Sequence, residues 1–178
     1  VTGVNERLVV TVLGPDRPGL VEAVSKVVEG HGGNWEASRM VRLAGRFAGV
    51  LLVTSSDDVV DRLATDLRAL GQEGLQVVVE RGDDDAPPDS RAMELELVGH
   101  DQPGIVRKVS AVLASRGVNI DELDSTCESA PMAGHNLFKV HAMVRAPMAL
   151  DVAALRAELE GLAGDLMVDI SLAESVES

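Results

Sequence analysis

The stretch GPDRPGL, Gly14–Leu20, returns as GHDQPGI, Gly99–Ile105, with glycine, aspartate, proline and glycine in the same places. Sliding the chain by 85 residues aligns Gly14 with Gly99, Asp16 with Asp101, Pro18 with Pro103 and Gly19 with Gly104. The same shift aligns Val21 with Val106, Val24–Ser25 with Val109–Ser110, and Val27 with Val112. It goes on to join Gly32 with Gly117 and Asn34 with Asn119. A match this dense, centred on glycine and proline, marks an internal repeat, and a repeat decides domain organisation before any element is assigned. The chain therefore reads as two copies of one unit, residues 1–81 and 92–178. Residues 82–91 link them, because RGDDDAPPDSR, Arg81–Arg91, is acidic, carries two prolines and has no apolar period.

Each copy reads as six elements. RLVVTVLG is a β-branched apolar run ended by Gly14, hence a strand. Leu20, Val24, Val27, Val28 and His31 then recur at helical spacing, and HGG stops the helix with a glycine free to turn left-handed. Residues 34–43 and 46–54 are extended and joined at Ala44–Gly45. A second helix carries Val59, Val60, Leu63, Leu67 and Leu70, with SSDD before it to cap its start and Gly71 and Gly74 to end it. LQVVVER is the last strand. The second copy repeats the order, with strands at 93–98, 118–128 and 137–145, helices at 105–116 and along Val152–Leu162, and a closing strand at 166–172. The order βαββαβ predicts an α+β chain of two ferredoxin-like domains in tandem. Each would have one antiparallel sheet, helices on one face, and its first and third strands central.

The sheet faces differ between copies. In the second, Met93, Leu95 and Leu97 alternate with Glu94 and Glu96, and Phe138, Val140, Ala142 and Val144 alternate with Lys139, His141 and Arg145. One face is apolar and the other wet, and Glu94 and Glu96 are placed to pair with Lys139 and His141. In the first copy Leu8–Leu13 and Phe47–Val53 are almost wholly apolar. Helices cover one face only, so another domain or a second subunit is expected on the other.

The repeated phrase joins the first strand of each copy to its first helix. Asp16 and Asp101 can accept backbone N–H groups of the turn, and Pro18 and Pro103 suit a first helical turn. Gly19 and Gly104 let a neighbour or ligand approach the backbone. This is a good strand-to-helix turn whatever else it does. The same geometry also offers helix-start N–H groups to a small carboxylate, with an aspartate nearby for an ammonium. Carboxylate and ammonium together describe an amino acid.

A unit of this order with this loop, followed by G-x-N at the second strand (Gly32–Asn34 and Gly117–Asn119), resembles the ACT domain, a regulatory module that in many members binds amino acids. The stretch Cys127–Pro147, with Pro131, Met132, Gly134, Leu137 and Phe138, resembles the lengthened hairpin of the glycine cleavage system transcriptional repressor family. The resemblance implies tandem ACT domains with no catalytic domain, acting through a protein partner such as a transcription regulator, and a homodimer. It implies an effector where the loop meets a neighbouring domain. The matching positions are Asp16, Arg17, Pro18, Gly19 and Asn34, then His100, Asp101, Gln102, Pro103, Gly104 and Asn119. The loops differ at Pro15 against His100 and Arg17 against Gln102, so the two sites can differ in ligand or only one can work. A ligand-free interaction scaffold of the same folds is the alternative.

Composition excludes several other classes. Sixteen basic against 29 acidic residues leave a formal net charge of −13, which disfavours direct contact with nucleic acid or an anionic membrane surface. Trp35, Phe47 and Phe138 are the only aromatic residues, so there is almost nothing on which bases could stack. Cys127 is the only cysteine, which forbids an internal disulfide and fits a reducing cytoplasm. Residues 1–7 do not read as a signal peptide. His31, His100, His135 and His141 show no metal-ligand spacing, so neither a metal nor a cofactor is expected. No GxSxG, Walker or Rossmann pattern occurs, and Cys127, beside Glu128, reads as an ordinary thiol rather than a nucleophile. The expectation is a protein that is not an enzyme.

Overall fold

A computed structural model describes residues 5–83, 89–130 and 135–174. The chain divides into two compact units, residues 1–85 and 86–178. The first contains β1 (Asn5–Pro15), α1 (Leu20–Gly30), β2 (Asn34–Leu43), β3 (Arg46–Ser56), α2 (Val60–Ala69) and β4 (Gln76–Arg81), with a 3-10 turn at Leu70–Glu73. The second contains β5 (Ser90–His100), α3 (Ile105–Ser115), β6 (Asn119–Ala130), β7 (His135–Pro147), α4 (Val152–Leu166) and β8 (Val168–Glu174). The sheets run β2-β3-β1-β4 and β6-β7-β5-β8, all pairs antiparallel. The first and third strands of each unit are central, as the element order predicted.

Each core lies between the sheet and its two helices. Leu8, Val10, Val12, Leu51 and Val53 meet Leu20, Val24 and Val28 of α1 and Leu63 and Leu67 of α2. In the second unit Met93, Leu95, Leu97, Val140, Ala142 and Val144 meet Ile105, Val109 and Leu113 of α3 and Leu155 and Leu159 of α4. The spacing of three and four along each helix puts these side chains on one stripe. No described helix is long and apolar enough to cross a membrane.

Several boundaries differ from the sequence reading. Ser90 and Arg91, expected in the linker, begin β5, where Arg91 donates to the carbonyls of Met148 and Leu150. Leu166 is the last residue of α4 rather than the first of a strand, and Met167 makes the break at φ 51. The helix stripe needed one more buried leucine than the β-like alternation suggested. The SSDD stretch does not cap α2, which starts from Val59 without a side-chain cap. In α4, by contrast, the Asp151 carboxylate accepts from the Ala154 N–H at 3.1 Å.

The second sheet's open face is polar. His141 Nε2 lies 2.6 Å from Glu94, which holds the imidazole pKa above its ordinary value, mainly through that hydrogen bond. Lys139 pairs at 2.7 Å with Glu128 of β6 rather than with Glu94 or Glu96. The first sheet's open face is apolar, with Val41, Leu43, Val50 and Val78 exposed.

Candidate functional site

The two repeated loops have almost the same backbone. Asp16 donates its N–H to Gly45 O at 3.0 Å, and Asp101 donates to Asn136 O at 3.0 Å, so each loop is stitched to the β2–β3 or β6–β7 hairpin. The helices then begin at Leu20 and Ile105 from Gly19 (φ 89, ψ 0) and Gly104 (φ 93, ψ 1). That left-handed conformation is costly for any residue with a Cβ, so glycine is required here by backbone shape. Pro18 and Pro103 therefore stand in the turn before the cap, not in the first helical turn. Neither helix has a side-chain cap. The positive ends of α1 and α3 thus face the loops with their first N–H groups uncovered by side chains.

The side chains of the phrase divide their work. Arg17 donates to Glu73 O at 2.7 Å, and Gln102 donates to Leu166 O. Both carbonyls precede a left-handed residue, Gly74 or Met167, that ends the unit's second helical segment. Different residues thus tie the loop to the same place in each unit. Gly14 sits against the residues just before β4 and Gly99 against β8, where a side chain would strike Leu75 or Val168.

The aspartates do not accept the turn's N–H groups. Asp16 Oδ2 takes Arg42 Nε at 2.5 Å, and Asp101 Oδ2 takes the Cys127 thiol at 3.4 Å. Both contacts reach from the edge strand, β2 or β6, past the intervening β3 or β7. Arg42 and Cys127 were absent from the sequence-derived candidates. The shift of 85 residues superposes them, as it does Asp16 and Asp101, and that was the available signal.

Asn34 and Asn119 are not near their own loops. Asn34 pairs with Thr54, at the far end of β3 from Arg46, which pairs with Leu43 beside the loop. Thr54 stands eight residues along the strand from Arg46, roughly 26 Å at about 3.3 Å per residue. Asn119 pairs with Arg145 and donates to Asp121, again far from His100, which pairs with Leu137. Each unit thus presents its loop at one end and its asparagine at the other. The Pro131–Gly134 phrase lies outside the described residues. The hairpin around it is long, with β6 and β7 of 12 and 13 residues against 10 and 11 in β2 and β3.

His31 sits at the end of α1, its Nδ1 on Val27 O and its Nε2 3.1 Å from Asp66, while His141 is on the second sheet's open face. Among the described residues no group of His, Cys, Asp and Glu is arranged to hold a metal ion. The Cys127 thiol is pushed up from its ordinary pKa by desolvation first, then by its hydrogen bond to Asp101 and that carboxylate's charge, with Asn136 opposing. The carboxylate responsible is Asp101, not the sequence neighbour Glu128. Replacing Asp101 with asparagine removes the charge that disfavours the thiolate and leaves only a neutral amide oxygen to accept from the thiol. Thiolate absorbance in a pH titration should therefore rise at lower pH in Asp101→Asn than in wild type. With a single cysteine the signal is unambiguous, and superimposable curves would refute the contact.

Comparison with known proteins follows the repeat. Residues 6–80 match the ACT domain, and residues 93–164 match it again. The glycine cleavage system transcriptional repressor of Escherichia coli (strain K12) is 26% identical over 161 residues, covering 89% of this chain and 85% of that protein. A UPF0237 protein of Methanopyrus kandleri is 40% identical over 80 residues, 43% of this chain and 89% of that one. A solved structure of an unknown protein from Galdieria sulphuraria is 35% identical with a TM-score of 0.87, covering 97% of this chain and 100% of that one.

Proposed function

Because this chain belongs to the ACT-domain family, with two such domains in tandem, we propose that it is a non-catalytic regulatory protein that binds a small amino acid and thereby controls a protein partner. The observation that carries this reading is the loop itself. It sets a carboxylate beside a helix start whose N–H groups no side chain covers, which suits a zwitterion of opposite polarity. Similarity to a glycine cleavage system repressor makes glycine the first ligand to try and a transcription regulator the first class of partner. The net charge of −13 supports control through protein contact rather than through DNA. Asn34 and Asn119 lie too far from their own loops to serve them. The exposed Val41, Val50 and Val78 suit burial by a second copy, giving a homodimer. A lone cysteine, which allows no internal disulfide, supports a reducing, cytoplasmic setting.

One observation favours the scaffold reading: Arg17 and Gln102 spend their side chains on helix-end carbonyls, a structural duty that needs no ligand. Thermal unfolding in the presence of glycine, alanine, serine and larger amino acids decides between them. A ligand that binds only the folded state raises the melting temperature with its concentration. A concentration-dependent rise with a small amino acid is expected. No rise with any amino acid at millimolar concentration would leave the scaffold reading standing.

A further inference from the structure

The repeat makes each unit a control for the other, and at one position they part. Asp16 and Asp101 occupy the same place in the two loops. Arg42 and Cys127 occupy the same place on β2 and β6, each opposite a phenylalanine of the next strand (Phe47 and Phe138). In the first unit the Arg42 guanidinium rests on Asp16 at 2.5 Å, so the carboxylate is already neutralised by a cation. In the second, Asp101 is met by the Cys127 thiol at 3.4 Å, a weak and uncharged donor whose raised pKa keeps it protonated. The cations on β7 are engaged elsewhere, Lys139 with Glu128 and Arg145 with Asp121. The loop carboxylate is thus paired with a cation in the first unit and with a neutral thiol in the second.

We propose that the two loops are not equivalent. The second binds the ammonium group of an amino acid on Asp101, and the first is held shut by Arg42 acting as a built-in cation. This rests on the amino-acid-binding reading and specifies its site. An incoming ammonium at the first loop must displace a bonded guanidinium, while at the second it displaces only a thiol contact and water. The ligand carboxylate then meets the α3 start next to Gly104. An open cleft of about 460 Å³ does flank Gly19 in the first unit, but there Glu22 already pairs with Lys26 and the remaining charged group, Glu73, is a second carboxylate.

The test exchanges the two residues. Calorimetry with glycine, alanine and serine on the full chain should give one site per chain for wild type. Cys127→Arg should weaken binding by roughly tenfold to hundredfold, the scale of one charge-assisted hydrogen bond. Arg42→Cys should raise the stoichiometry to two. Backbone amide shifts in the wild-type protein supply a second measurement that needs no variant to fold. They should move at Gly104 and Ile105 and stay still at Gly19 and Leu20. Two sites in wild type, or shifts at Gly19 and Leu20 alone, would overturn the asymmetry while leaving amino-acid binding intact. Absence of heat and of shifts with all three amino acids would instead remove the binding reading and this inference with it.

Discussion

Gly99→Ala is expected to destabilise the second unit by about 3 kcal/mol or more, the upper part of the range for forced overpacking. A methyl group at Gly99 would stand 2.3 Å from Val168 Cγ1, 2.6 Å from its Cβ and 2.7 Å from its Cα. The last of these is backbone. Gly99 and Val168 are direct partners in the β5–β8 ladder, so β8 cannot retreat without giving up hydrogen bonds at the point where α4 ends. The repeat supplies the control. At Gly14 the nearest atom is Leu75 Cδ2, at 2.8 Å, and the nearest backbone atom is Gly74 O at 3.3 Å. A leucine tip can rotate away, so Gly14→Ala should cost much less. Urea unfolding of the two variants beside wild type reads the difference. A Gly14→Ala loss equal to or greater than that of Gly99→Ala would show that β8 yields more easily than the ladder implies.

These glycines show where the sequence was legible and where it was not. The repeat, the six elements and the central strands could all be read, because apolar period and turn residues are local properties. The glycines were visible, but their reasons were not. Gly19 and Gly104 read as places for close approach, yet nothing lies within 4 Å of a Cβ there, and the requirement is the left-handed φ. Gly14 and Gly99 read as strand ends, and their close approach is to Leu75, just before β4, and to Val168 of β8. Arg17 and Gln102 read as the loops' variable, ligand-facing positions, and each reaches a carbonyl more than fifty residues away. Such partners depend on how the chain returns, which no window of residues contains. Arg42 is the instructive omission. It lay under a direct superposition with Cys127, but an arginine on an exposed edge strand reads as solvated charge until its distance to Asp16 is known.

Leu113→Ala is expected to cost about 3 kcal/mol, within the range for a fully buried leucine whose site cannot collapse. Leu113 is 1% exposed near the end of α3, packed in the core of the second unit. It already borders a narrow apolar crevice of about 20 Å³ between α3 and β6, shared with Ile105, Val109, Ile120 and Leu123. Truncation would enlarge that space, and its apolar walls offer water no partners. The shift of 85 residues again names the control, Val28, which is 2% exposed in α1. The carbonyls of Leu113 and Val28 receive the N–H groups of Val118 and Gly33, at 3.0 and 2.9 Å, so neither substitution disturbs the chain reversal after the helix. Val28→Ala removes one carbon fewer and should cost less by about 1 kcal/mol. The functional consequence follows from continuity. Ile105, the first residue of α3, lines the same crevice as Leu113, and Gly104 and Asp101 precede it. A loosened α3 carries its N-terminus away from Asp101, so Leu113→Ala should weaken amino-acid binding as well as stability, whereas Val28→Ala should lower stability alone. Chemical denaturation and calorimetry on the same two variants measure both. Equal binding losses in the pair would place the ligand somewhere other than the second loop.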